Sequence, residues 1–209
     1  MNAGQDYLLV VEDDRDILKL LDATLTFKGY RVITAHNGRE ALEVIQIKRP
    51  AIVITDIMMP RLDGFGLVHR LRINPETRDI PVVFITATFM TPEDKDFALN
   101  IGATRFIQKP VDLEKFLITI AELLKKGTSP AIEPLKEFTF YEGYRARLEI
   151  KLDQKIKQIA RDEHLLGTHA DEENQFLQVS LRHAISERDE LKLLLDQIHE
   201  QLEKYSKPE

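Results

Sequence analysis

The residues best suited to chemistry are carboxylates that follow short apolar runs. Glu12, Asp13 and Asp14 come directly after the first such run, and Asp56 ends the third. Parallel strands present their carboxyl ends at one edge of a sheet, so Asp13 and Asp56 are expected to face one crevice if their strands are neighbours. Carboxylates held this close repel one another unless a cation joins them.

The donor atoms of this cluster indicate which cation it would take. The ligands are all oxygens, with no His close by and no Cys anywhere in the chain, which suits Mg²⁺ rather than zinc. Such a pocket can bring a phosphoryl group to a carboxylate, and Asp56 is the expected nucleophile. Lys109, on a long stem, can reach the developing phosphoryl charge, and the Thr86 hydroxyl can donate to another phosphoryl oxygen.

The elements that must position these side chains alternate between strand and helix patterns. The short apolar runs are Tyr7–Val11, Tyr30–Thr34, Ala51–Thr55, Pro81–Thr86 and Ala103–Ile107. Five repeats of strand then helix imply parallel pairing with right-handed crossovers. Near-continuously apolar strands are typical of a sheet that is covered on both faces. The sequence therefore predicts an α/β fold with a five-stranded parallel sheet and five helices. A strand order of 2-1-3-4-5 would make strands 1 and 3 neighbours at the topological switch point.

The pattern changes after residue 126. Gly127, Pro130 and Pro134 mark a linker, which we place at residues 127–140. Residues 141–209 carry the periodicity of two long helices. In the first of them, four apolar residues are expected to share one face: Leu148, Leu152, Ile156 and Ile159. The second is expected to follow a break at residues 167–171, with Asp171 as its N-cap.

The second long helix carries a regular apolar seam. Its residues recur at alternating spacings of four and three, interrupted only by Arg188: Leu177, Leu181, Ala184, Leu191, Leu195, Ile198, Leu202 and Tyr205. This regularity favours a coiled coil or a helical hairpin. The seam either packs on the preceding helix of the same chain or pairs two chains, and we expect a homodimer from it. Arg188 would help to choose the register.

Five separated groups of residues resemble the receiver domain of two-component response regulators. The groups, in matching order and spacing, are the acidic pair Glu12-Asp13 after two valines, the run D-I-M-M-P-R-L-D-G from Asp56, Thr86-Ala87, Phe106, and Lys109-Pro110. The resemblance covers residues 6–126, within a domain that we place at 1–126, and it implies a flavodoxin-like fold. It also implies that a sensor histidine kinase phosphorylates Asp56 in a Mg²⁺-dependent reaction.

The same resemblance assigns roles to individual residues. Glu12, Asp13, Asp56 and the backbone carbonyl of Met58 would hold the Mg²⁺ ion, with Asp14 a weaker candidate. On phosphorylation, Thr86 would move inward and Phe106 would rotate inward, and so remodel the face formed by helix 4, strand 5 and helix 5. The Lys109-Pro110 peptide bond would be cis. The phosphorylated aspartate would thus bias a two-state element, and the helical tail would dimerise or bind a downstream protein.

Charge and hydropathy argue against several other classes of protein. Residues 1–126 contain 17 Lys and Arg against 18 Asp and Glu, and residues 127–209 contain 12 against 17. An acidic tail is poorly suited to neutralising phosphates, so nucleic-acid binding is not expected. No apolar run is long enough to span a membrane, and the first residues lack the features of a signal peptide. We therefore expect a cytoplasmic protein that does not bind membranes.

The alternatives that remain come from other functional classes. An aspartate-dependent phosphatase would need a second acid two residues after its nucleophile, where Met58 stands, so we expect no enzyme. A winged-helix or helix-turn-helix output would need a compact basic recognition unit, which the tail does not indicate. Nor are there the sequence runs of a nucleotide cyclase or phosphodiesterase. His183 and His199 are best explained as solvated surface residues.

Overall fold

The computed structural model describes residues 7–87, 91–127, 133–167 and 174–206. The chain divides into two compact units, Met1–Leu135 and Lys136–Glu209. Across the described residues, no helix combines the length and the apolar character that crossing a membrane requires.

The first unit is an α/β sandwich built on a parallel sheet. Its described elements are β1 (Leu8–Val11), α1 (Arg15–Phe27), β2 (Val32–Ala35), α2 (Gly38–Ile47), β3 (Ile52–Thr55), α3 (Gly64–Ile73), β4 (Val82–Thr86), α4 (Pro92–Asn100), β5 (Arg105–Gln108) and α5 (Leu113–Lys126). All four strand pairs are parallel, and the order is β2-β1-β3-β4-β5. The predicted fold and strand order are confirmed.

Apolar residues on both faces of the sheet explain the near-continuous apolar runs. Every residue of β1, β3 and β4 is buried. On one face, strand residues pack against α1 and α5 in a single cluster of fully buried side chains: Leu8, Val10, Ile52, Ile54, Val83, Ile85, Leu18, Leu21, Leu25, Phe116, Ile120 and Leu123. Burying these side chains is the main favourable contribution to folding and fixes the strand ends relative to one another.

Polar caps begin the helices directly after the loops that leave the sheet. In each case a side-chain oxygen accepts a hydrogen bond from a backbone N–H of the first turn; the caps are Asp14, Asn37, Asp63, Thr91 and Asp112 for α1 to α5 respectively. Such caps satisfy donors that the helix itself cannot pair. Each cap thereby fixes the first turn of its helix.

The second unit is an antiparallel helical hairpin of α6 (Glu137–Leu166) and α7 (Asn174–Ser206). The rings of Phe138 and Tyr205 lie 6.0 Å apart at one end, and near the other end Ser180 Oγ lies 3.4 Å from Asp162 Oδ2. Between these two contacts, Lys155 forms an ion pair with Glu187 across the two helices. The seam thus packs within one chain, which is one of the two arrangements that the sequence left open.

The predicted seam of α7 faces the hairpin interior. Four of its eight residues are buried and three are half-buried: Ala184, Leu191, Ile198 and Leu202, then Leu177, Leu181 and Leu195. The eighth, Tyr205, is 46% exposed, so the seam prediction fails at this last position. Arg188 forms an ion pair with its neighbour Asp189 at 2.7 Å. The ion pair between the two helices joins Lys155 and Glu187 instead. Nothing in these contacts supports the expected role of Arg188 in choosing the register.

Two expectations for the start of the tail need correction. α6 begins at Glu137, within the segment 127–140 that we expected to be linker, because Phe140 is buried and Phe138 contacts α7. The expected face of α6 is also partly wrong, since Ile156 is 47% exposed. Its buried positions follow a different spacing instead: Phe140, Tyr144, Leu148, Lys151, Ile159 and Asp162. The proposed N-cap Asp171 lies outside the described residues.

Candidate functional site

Three carboxylates converge at the carboxyl edge of the sheet. One oxygen from each of Glu12, Asp13 and Asp56 lies within 4.8 Å of the others. The register explains this convergence, because Val11 pairs with Thr55 and the next amide, that of Asp56, donates to the Val11 carbonyl at 3.0 Å. Glu12 and Asp56 therefore leave adjacent strands at the same level, as the sequence predicted.

Lys109 reaches into this cluster from the end of β5. Its Nζ lies 2.8 Å from Glu12 Oε2 and 2.7 Å from Asp56 Oδ2, so one ammonium group bridges both acids. The Lys109-Pro110 bond is cis, as the resemblance implied. The Lys109 amide also donates to the Thr86 carbonyl at 2.9 Å, which ties the lysine to the end of β4. The predicted approach of the lysine to the acids is confirmed.

The cluster holds more acids than cations: Glu12 and Asp56 are buried beside Lys109, and Asp13 next to them is exposed. Burial, and then the charge of Asp56, raise the pKa of Glu12 to about 7 even though Lys109 acts against the shift. Burial also raises the pKa of Asp13. For Lys109, burial lowers the pKa, but the charges and hydrogen bonds of Asp56 and Glu12 outweigh it, and the pKa lies above its ordinary value. One lysine does not neutralise three acids, so a further cation would be stabilised here.

The donor set fits a magnesium ion. Glu12, Asp13 and Asp56 supply carboxylate oxygens, which hard cations prefer. Asp14 has another role: its Oδ1 accepts from the amides of Asp16 and Ile17 at 2.9 and 3.1 Å as the cap of α1. These backbone hydrogen bonds lower the pKa of Asp14. The carbonyl of half-buried Met58 stays a predicted ligand.

The two predicted switch residues lie on neighbouring strands. Thr86 is the last residue of β4 and is fully buried. Phe106, on β5, is half-buried. The centroid of its ring lies 6.5 Å from the ring centroid of Phe84 and 5.9 Å from the Lys95 ammonium nitrogen. The strand register pairs Phe84 with Phe106 and Thr86 with Gln108, so the two residues lie two register positions apart on one strand pair. Their movement on phosphorylation stays a prediction.

Asp63 is a buried acid whose environment sequence reasoning did not anticipate. Its Oδ1 accepts from the Gly66 amide at 2.7 Å, while its Oδ2 has no hydrogen-bond partner among the residues that the structure describes. Complete burial raises its pKa to about 7. The Asp63-Gly64 pair before a helical stretch signals an N-cap. Nothing in the local sequence signals that the cap is buried.

Comparison with known proteins agrees with this geometry. The family model described as the response regulator receiver domain matches residues 8–121. That match covers more than half of the chain, which therefore belongs to the response regulator receiver family. It carries the receiver domain of a two-component system.

Individual relatives extend the comparison. The chain is 40% identical over 121 residues to the response regulator MprA of Mycolicibacterium vanbaalenii, covering 58% of this chain and 51% of the relative. It is 34% identical over 132 residues to a protein of Cyanophora paradoxa named as a probable transcriptional regulator, ycf27, with 63% and 54% covered. The chain thus spans about half the length of these curated relatives.

Solved structures share the fold of the first unit. The chemotaxis response regulator CheY4 of Vibrio cholerae superposes with a TM-score of 0.53 at 33% identity, covering 57% of this chain and 98% of that one. A receiver domain of a signal transduction histidine kinase from Syntrophus aciditrophicus gives a TM-score of 0.54 at 32% identity, with 58% and 91% covered. Both likenesses cover little more than half of this chain.

Proposed function

We propose that Asp56 accepts a phosphoryl group from a sensor histidine kinase in a Mg²⁺-dependent reaction, and that the chain works as a switch rather than as an enzyme. The observation that carries this proposal is the bridge from Lys109 to Glu12 and Asp56 beside a third carboxylate. A structural ion pair would need one acid, whereas this cluster gathers three acids around one lysine.

The proposed transfer uses side chains whose positions are described above. An Asp56 carboxylate oxygen attacks phosphorus, the bond from phosphorus to the donor's imidazole nitrogen breaks, and the donor keeps that electron pair. Lys109 Nζ, at 2.7 Å from Asp56 Oδ2, is within reach of phosphoryl oxygens on that carboxylate. The Thr86 hydroxyl would donate to another of them. A magnesium ion held by Glu12, Asp13 and Asp56 would supply the remaining positive charge.

Phosphate incorporation from acetyl phosphate tests this proposal. The full chain should take up phosphate in the presence of Mg²⁺ and lose it on treatment with hydroxylamine, and Asp56→Asn should abolish uptake. Asp14→Asn is the matched control, because asparagine still caps α1 and the Asp14 carboxylate serves as that cap outside the cluster of Glu12, Asp13 and Asp56. Full uptake by Asp56→Asn would show that this nucleophile is wrongly assigned.

For the output, we propose that the hairpin of α6 and α7 acts through protein contacts, as a homodimer or with a downstream partner. Its helices pack on each other, so a dimer would have to use outer positions; exposed apolar residues there include Ile150, Val179 and Leu193. Light scattering at tens of micromolar should give twice the 24.1 kDa of one chain when the protein is phosphorylated. A measured mass of one chain, both with and without phosphate, would rule out the proposed homodimer.

DNA binding is the second candidate output, and the names of the relatives favour it. The relative from Cyanophora paradoxa is named as a transcriptional regulator. Against this, residues 127–209 hold 12 basic and 17 acidic residues, and their described part is a two-helix hairpin. At physiological salt we expect no gel shift with random DNA. A shift that strengthens on phosphorylation would replace the protein-contact proposal with this one.

A further inference from the structure

The loop between Asp56 and α3 contains a strained turn. Arg61 has a φ of 68°, in the left-handed region, and the Leu62 amide donates to the Pro60 carbonyl at 2.9 Å across it. This is a γ-turn of the rarer, strained kind, and such a conformation persists only where the surroundings hold it. The strain lies in the segment that carries the Met58 carbonyl, one of the predicted magnesium ligands.

The surroundings that hold this turn come from the first turn of α2. The Gly38 amide donates to the Leu62 carbonyl at 2.8 Å. A side-chain carbon at position 38 would lie only 2.7 Å from that oxygen, so the helix start and the loop leave no room for a side chain here. One residue earlier in the loop, the Arg61 guanidinium forms an ion pair with Glu40 Oε1 at 3.2 Å.

Glu40 is itself fixed in place for this contact. Its Oε2 accepts from the His36 amide at 2.9 Å, and its Oε1 accepts from the Asn37 side-chain amide at 2.8 Å. The backbone hydrogen bond from His36 lowers the pKa of Glu40, so the carboxylate is ionised at neutral pH. A single carboxylate therefore joins the β2–α2 loop, the cap of α2 and the loop after β3.

The other end of the same loop abuts the phosphorylation site. The Gly64 amide donates to the Ile57 carbonyl at 2.8 Å, and a side-chain carbon at Gly64 would lie 2.2 Å from the Asp56 carbonyl oxygen. The backbone from Asp56 to α3 is thus a loop closed by a hydrogen bond, and its two ends are tightly packed against each other. A displacement of its γ-turn would be transmitted to the backbone beside Asp56 and Met58.

We propose that Glu40, through Arg61, is a positioning residue for the phosphorylation site: it holds the strained turn and so sets the backbone that presents Asp56 and the Met58 carbonyl. The inference rests on the proposed function of Asp56. It adds a second group, on α2, that acts through the loop without touching the phosphoryl group.

Magnesium titration of the full chain, followed by NMR amide shifts without any phosphodonor, tests the inference. Glu40→Gln and Arg61→Ala should each weaken Mg²⁺ binding about two- to five-fold, the range open to an exposed ion pair. The double variant should be no weaker than the weaker single variant, because both lose the same contact. Arg61→Lys, which keeps the charge, should recover affinity.

A second ion pair in the receiver supplies the control. Arg49 and Asp79 lie 2.7 Å apart in the loops that enter β3 and β4, at the opposite end of the strands from the acid cluster. Arg49→Ala should lower the urea midpoint at least as much as Arg61→Ala and leave Mg²⁺ affinity unchanged.

Two results would overturn the positioning role of Glu40. One is unchanged Mg²⁺ affinity in Glu40→Gln and Arg61→Ala, and the other is equal weakening by Arg49→Ala. Either would leave the proposed function intact if Asp56 still takes up phosphate. Failure of the unmodified chain to take up phosphate would instead remove the proposed function.

Discussion

At the scale of single residues, Lys109 is one cation beside three acids, so the cluster keeps negative charge that the lysine does not neutralise. Glu12 and Asp56 are buried, and each lies within 3 Å of the same ammonium group. Removing one partner of a buried charge cluster leaves uncompensated charge in a low-dielectric environment, which costs more than the contact itself contributes. The lysine therefore stabilises the metal-free receiver as well as serving the proposed chemistry.

Lys109→Met is expected to destabilise the metal-free receiver by about 3 kcal/mol, because the buried acids Glu12 and Asp56 lose their counter-charge. Millimolar Mg²⁺ should restore part of that loss, since an ion held by the folded cluster would replace part of the missing positive charge. Urea unfolding with and without Mg²⁺ measures both effects. Lys115→Met, which removes an exposed ion pair with Asp112, is the control and should be nearly neutral. Equal destabilisation with and without Mg²⁺ would contradict the metal site.

Asp63 predicts a pH dependence of stability. Its pKa is raised to about 7 in the folded protein, so the folded state binds more protons than the unfolded state between the ordinary aspartate pKa and about 7. Stability from this group is therefore present at acidic pH and falls as pH rises towards 7. Asp63→Asn should relieve a cost on the order of 4 kcal/mol at pH 8 and roughly 1–2 kcal/mol at pH 5, because most of the loss falls between these two values.

Chemical denaturation of the unmodified chain and of Asp63→Asn at pH 5 and pH 8 measures this difference in stability. Asparagine keeps the capping acceptor for the Gly66 amide, so the comparison isolates the charge. The Asp63 account would be wrong if Asp63→Asn destabilised the receiver equally at both values.

At the scale of elements, the sequence predicted most of the sheet because each apolar run marks a strand and the polar residues that follow it mark the strand's end. The apolar runs of β1, β3 and β4 are buried on both faces, and their ends place Glu12, Asp56 and Thr86 correctly. The start of α6 was misplaced, because Phe138 follows two prolines and its ring partner, Tyr205, is distant in sequence. Contacts of that kind leave no local signal.

Arg72 was missed for the same reason. It is 2% exposed, and its guanidinium donates to the Gly102 carbonyl at 2.6 Å and to the Ile80 carbonyl at 3.0 Å. It thereby joins α3 to the turn before β5 and to the entry of β4. From the sequence alone, a single arginine in an amphipathic stretch is expected to be solvated, because nothing local indicates the carbonyls that it binds.

Arg72→Met is expected to lower receiver stability by about 2–3 kcal/mol, because methionine fills the space but leaves two buried carbonyls unpaired. Arg70→Met, on the exposed side of the same helix, is the matched control and should change stability by less than about 0.5 kcal/mol. Thermal or urea unfolding measures both. Similar losses in the two variants would contradict the bracing role of Arg72.

At the scale of the whole molecule, the family match and the likenesses to solved structures concern the first unit, while the hairpin has a core of its own. Leu191 is 1% exposed within that core, and Leu193, two residues on, is 62% exposed. Because the two units are separately compact, damage to the hairpin interior should leave the acid cluster of the receiver intact.

Leu191→Ala should destabilise the hairpin by about 2–4 kcal/mol through the cavity it creates. Leu193→Ala should be close to neutral. Helical circular dichroism during heating follows the helices of both units, so the difference between the melting curves of Leu191→Ala and Leu193→Ala reports the hairpin, and phosphate uptake by Asp56 reports the receiver. Loss of uptake in Leu191→Ala under conditions where it remains folded would contradict the independence of the two units.

Locating the phosphate directly is the most decisive measurement. Borohydride reduction of the phosphorylated chain converts an acyl phosphate on aspartate to homoserine, which tandem mass spectrometry places in the sequence. We predict homoserine at position 56, formed only when Mg²⁺ was present during phosphorylation. Homoserine at Asp13 instead, or modification of Asp56 that is indifferent to Mg²⁺, would contradict the assignment of this cluster as a magnesium-dependent phosphoaspartate site.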